Sequence, residues 1–61
     1  MKTNELKEKW TLLLMKIHLE TNVSRLQDEC FSLRMMHNEL TKRGIPEKWF
    51  YEQEDRMDLS Q

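Results

Sequence analysis

A chain of 61 residues with one cysteine, one glycine, one proline and a formal net charge of −1 excludes several classes of protein. One cysteine makes no disulfide framework, no Cys/His cluster has zinc spacing, and no cationic surplus is present to hold phosphates. The apolar share of 38% is too high for a plainly disordered chain, whereas 34% charged residues suit a helical one.

So short a chain buries only about 60% of the surface its unfolded form exposes, so association is the expected supplement to its core. The charge is slightly uneven: residues 1 to 43 carry eight basic and six acidic side chains, and residues 44 to 61 carry two and five. A solvated helix surface accounts for this. The longest apolar run, Leu12-Leu13-Leu14-Met15, is closed by Lys16, far short of the ~18 residues a membrane span requires. The sequence Met1-Lys2-Thr3-Asn4-Glu5 lacks a signal-peptide layout and the lone cysteine suits a reducing compartment, so a cytoplasmic location is expected.

Thr3 and Asn4 precede the first periodic residue, Leu6, and can cap a helix whose first turn carries Glu5. From there to Arg43 the chain has neither glycine nor proline. Leu12, Leu19, Leu26, Leu33 and Leu40 recur every seven residues, and Lys16, Val23, Cys30 and His37 fill the alternate positions of the same seam. This 4,3 alternation is that of a coiled coil.

A second stripe, Leu6, Trp10, Leu13 and Ile17, widens the apolar surface of the first half and argues for more than one neighbour. The stop is explicit in Thr41-Lys42-Arg43-Gly44-Ile45-Pro46. Basic residues occupy the last turn, Gly44 can take the left-handed conformation, and Ile45 can touch Leu40.

Thr21-Asn22-Val23-Ser24 is poor in helix formers, and Ser24 to Gln27 matches a capping box, so a break after Glu20 with a new helix from Ser24 is one reading. The unbroken seam and the lack of glycine or proline favour the other, one helix over residues 4 to 43, about 60 Å long. After the Gly44-Ile45 turn, Pro46 and Glu47 open a short helix over residues 46 to 58. Leu59-Ser60-Gln61 is expected to fray.

The expected architecture is all-α: one 1–61 helical domain that pairs with a copy of itself, most simply as a dimeric bundle. Its interface would be Leu12, Leu19, Val23, Leu26, Cys30, Leu33, His37 and Leu40. Trp49, Phe50 and Tyr51 are adjacent, and successive helical side chains point about 100° apart, so at least one stays outside a core face. One reading packs Trp49 and Phe50 on the long helix and leaves Tyr51 at the rim with its hydroxyl in water; the other makes Trp49, Phe50 and Tyr51 the partner-binding residues, with Met35 and the acidic tail beside them.

Chemistry finds little support. Cys30 and His37 are separated by about 10 Å along a helix, too far to share a metal. No base or glycine-rich loop accompanies the thiol, and Glu20, Asp28, Glu29 and Glu39 are dispersed. Neither enzyme activity nor a cofactor is expected. Leucine heptads occur in basic-zipper transcription factors, but the segment ahead of Leu12 interleaves Glu5 and Glu8 with its lysines. Nucleic-acid binding through Lys7, Lys9, Lys16 and Arg25 is therefore the weakest reading. The leading one is a small adaptor or inhibitor, of the kind phages and bacteria use against a larger protein, and the alternative is a purely structural oligomerisation coil.

Overall fold

The computed structural model describes residues 2–59, the side chains of Asp58 and Leu59 excepted. Ser60 and Gln61, expected to fray, lie outside the described residues. Within them the chain is all-helical: α1 (Thr3–Leu19), α2 (Val23–Lys42) and α3 (Glu47–Leu59). The single helix expected over residues 4 to 43 is therefore two helices. They fold as an antiparallel hairpin, in which Arg43 Nη1 donates to Thr3 Oγ1 at 3.4 Å and the rings of Trp10 and His37 lie 6.5 Å apart.

The break is made by side chains standing in for backbone. Asn22 has an extended conformation, and its Oδ1 accepts from the backbone N–H of Ser24 at 2.9 Å and of Arg25 at 3.3 Å. Glu20 Oε1 accepts from the Asn22 N–H at 3.0 Å. Asparagine offers the backbone this alternative to helix, and the flanking β-branched Thr21 and Val23 give helix little in return. The cap is thus Asn22 rather than Ser24. At the other end of α1 the N-cap is Lys2, which supplies no side-chain cap; Thr3 is already helical and reaches Arg43 instead.

α2 stops as its sequence indicates. Ile45 N–H donates to Leu40 O at 3.1 Å and Gly44 N–H to Thr41 O at 3.0 Å, with Gly44 at φ 94°, which is the Schellman pattern. Ile45 packs against the core that holds Leu40. α3 begins at Glu47, one residue past Pro46, whose carbonyl accepts from Trp49 N–H.

Five apolar side chains form the core: Leu6, Trp10 and Leu14 of α1, Leu40 of α2 and Phe50 of α3. Leu33, Met36, Ile45, Trp49 and Met57 pack against it. Leu40 is 0% exposed and Trp10 2%. Trp10 is the hub, with ring centroids 5.0 Å from Phe50 and 5.4 Å from Trp49.

α1 thus turns Leu6 and Trp10 of its second stripe inward together with Leu14, while Leu13 and Ile17 of that stripe are only half-buried, and the phase of the heptad leucines is lost at Glu20. The indole explains the choice. Aromatic side chains bury roughly 150–250 Å² each, so turning Trp10 inward removes more apolar area from water than turning Leu12 inward.

Candidate interaction surface

With the core settled on one stripe of α1, the other is left outside. Leu12, Met15 and Leu19, spaced i, i+3 and i+7, are all exposed, Leu19 at 79%. Met15 and Leu19 also form one wall of a groove of about 440 Å³, whose other wall is Gln53, Arg56 and Met57 of α3, with Thr11 and His18 along its edge. Val23, at the start of α2, is exposed at the same end of the hairpin.

α2 carries a second exposed pair, Phe31 and Met35, one turn apart. At 3.6 residues per turn Phe31 sits about 160° around α2 from Leu33, which packs on the core. The α1 stripe and this pair are therefore separate faces, each on the side of its helix turned away from the core. Among the described side chains α3 adds Tyr51, 60% exposed.

The residues expected at the oligomer seam are divided by the fold. Leu40 is spent inside its own chain, Leu33 packs on the core and His37 stacks on Phe50 at 3.9 Å. Leu26 is half-buried. Leu12, Leu19, Val23 and Cys30 remain at the surface, and Cys30 is a free thiol. Of the expected partner-binding residues, Phe50 is a core residue at 3% exposure and Trp49 packs against the core beneath Lys7 Nζ, 5.4 Å from its ring. Only Tyr51 faces water. Three adjacent aromatics cannot share a face, and the larger two took the inside.

Met15 and Phe31 were not singled out in the sequence. Phe31 and Met35 form an i,i+4 apolar pair off both stripes, and that spacing was the available signal.

A second cleft of about 330 Å³ lies between α2 and α3, lined by Trp10, Cys30, Leu33, Arg34, His37, Asn38 and Glu54. The indole Nε1 of Trp10 is buried without a hydrogen-bond partner. Cys30 and His37, one heptad apart, both border this cleft. Among the described residues no three His, Cys, Asp or Glu side chains converge into a metal site, and no helix is long and apolar enough to cross a membrane.

The notable electrostatic feature is at the hairpin turn, where the carboxyl groups of Glu20 and Glu29 stand close enough to interact. The Asn22 backbone N–H bonded to Glu20 lowers its pKa, and partial withdrawal from water raises that of Glu29, helped by the charge on Glu20. Glu29 Oε2 is buried with no donor facing it. Comparison with protein-family models, with curated proteins and with solved structures gave no match.

Proposed function

We propose that this chain is a small non-enzymatic interaction module, an adaptor or inhibitor that associates with a copy of itself and occludes a surface of a larger cytoplasmic protein. One observation supports the reading above the others: two separate exposed apolar faces on one small bundle, Leu12-Met15-Leu19 on α1 and Phe31-Met35 on α2. Exposed apolar groups clustered on a face commonly mark interaction sites, and two separate faces let one molecule hold two neighbours. The mechanism is steric and needs no reacting group.

The test is Phe31→Ser with Met35→Ser, compared with the native chain by quantitative capture from the source cell. On this reading the variant keeps its helicity and its self-association but loses a protein that the native chain holds in stoichiometric amount. Equal capture by both chains sinks the target-binding half.

The leucine heptad favours a second reading, a coil whose only task is oligomerisation. In that case the Phe31 and Met35 substitutions leave the biological role intact and Leu12→Glu abolishes it. Nucleic-acid binding through Lys7, Lys9, Lys16 and Arg25 would show as an affinity falling steeply with salt.

A further inference from the structure

The α1 stripe bears on what covers it. From the N-terminus the outer face of α1 reads Glu5, Glu8, Leu12, Met15 and Leu19, with Lys9 and Lys16 along the α2 side. Leu12, Met15 and Leu19 have the a, d, a spacing of a coiled-coil seam, about two turns long, which fits one helix lying alongside. The charges are polarised along that seam. Its N-terminal end is acidic, and beside Leu12 and Met15 it is flanked by lysine. Among the described residues no salt bridge involves Glu8 or Lys16, whose side chains are exposed, although the charge of Lys16 also acts on Glu29 of its own chain.

We propose that the occupant is a second copy of this chain, bound antiparallel about a two-fold axis through the α1 stripe, so that Leu12 packs on Met15 of the partner subunit. The proposal rests on the self-association half of the reading above and adds the surface, the orientation and the charge pairing.

Parallel packing stacks Glu5 and Glu8 on their own copies and Lys16 on its own, which is repulsive at each charged layer. Antiparallel packing carries the acidic end of each α1 towards Lys16 of the partner subunit. A two-fold contact of this kind is self-complementary, as a homodimer requires. Met57 and the groove wall extend the apolar patch beside Met15 and Leu19.

The assay uses the purified full chain, so its outcome is independent of whether any other protein is captured. Sedimentation equilibrium over a concentration series is expected to show a monomer–dimer equilibrium. Leu12→Glu and Leu19→Glu should each raise the dimer Kd by at least about 30-fold, the scale of a central interface residue, with the far-ultraviolet spectrum of the monomer unchanged. Glu8→Lys and Lys16→Glu should each weaken the dimer, and the double variant should recover most of the loss.

Orientation is read with a spin label at Glu5→Cys in a Cys30→Ser background. An antiparallel pair puts the labels roughly 25 Å apart or more along the axis, and a parallel pair about 10 Å apart. A chain that stays monomeric at about 1 mM, a dimer indifferent to Leu12→Glu and Leu19→Glu, or the short label distance each overturns the proposal.

Discussion

Glu20 and Glu29 bring two carboxyl groups together across the turn between α1 and α2, and their pKa values move in opposite directions. From the ordinary value of 4.5 Glu20 is lowered and Glu29 raised, so Glu29 is the more readily protonated of the two. The positive charges of Lys16 and Arg25 act on Glu29 in the opposite sense.

A pH dependence with a maximum follows. Glu29 is raised, so between 4.5 and its folded value the native chain holds more protons than the unfolded one, and stability falls as pH rises through that window. Glu20 is lowered, so its stabilisation is present above 4.5 and is lost as pH drops through its folded value. Their combined contribution therefore peaks near 4.5. Urea midpoints from pH 3 to 8, at one chain concentration, should show this local rise, and Glu29→Gln should remove the part above 4.5.

Core and seam should separate cleanly under mutation. Leu40→Ala is expected to cost about 2–5 kcal/mol and Trp10→Ala about 3–5 kcal/mol, enough to unfold a chain with so few buried side chains. Leu12→Ala, in the same heptad series as Leu40 but exposed, should stay within about 0.5 kcal/mol in dilute monomer. Denaturant titration of the three variants decides whether α1 uses its second stripe.

Asn22→Ala should cost about 1 kcal/mol, because it leaves the amides of Ser24 and Arg25 without their acceptor. Asn22→Ser should restore most of this, since serine caps about as well. Chemical denaturation ranks the pair, and equal midpoints for alanine and asparagine would remove the cap from the account of the turn.

Gly44→Ala isolates a backbone effect. A Cβ there meets nothing within 4 Å, yet φ is 94°, so the cost is conformational and on the order of 1–2 kcal/mol. Gly44→Asn should cost less, because asparagine enters the left-handed region more readily than alanine. Thermal melts of the two variants provide the comparison.

How far the fold could be read from the residues depended on whether a feature was local. The stop of α2 was legible because Gly44, Ile45 and Pro46 each act within one turn of chain. Reversal at Glu20 was visible only as the weaker of two readings, since it relies on the Asn22 side chain instead of a glycine or proline. The inward face of α1 was harder still. Leu12 and Trp10 both belong to well-spaced stripes, and only packing against Leu40 and Phe50 decides between them. Trp49, Phe50 and Tyr51 leave two readings open for the same reason: adjacency says that one aromatic must be excluded, not which one, and the structure follows the reading that packs Trp49 and Phe50 and leaves Tyr51 in water.

The two tryptophans of this chain lie 5.4 Å apart, one on α1 and one on α3. Indoles at that separation couple their excited states, so the near-ultraviolet dichroism and emission of the native protein report the docking of the third helix without any added dye. Detachment of α3 while the hairpin persists would extinguish that optical coupling and leave the helical signal nearly whole, which makes the two events separately observable in one sample.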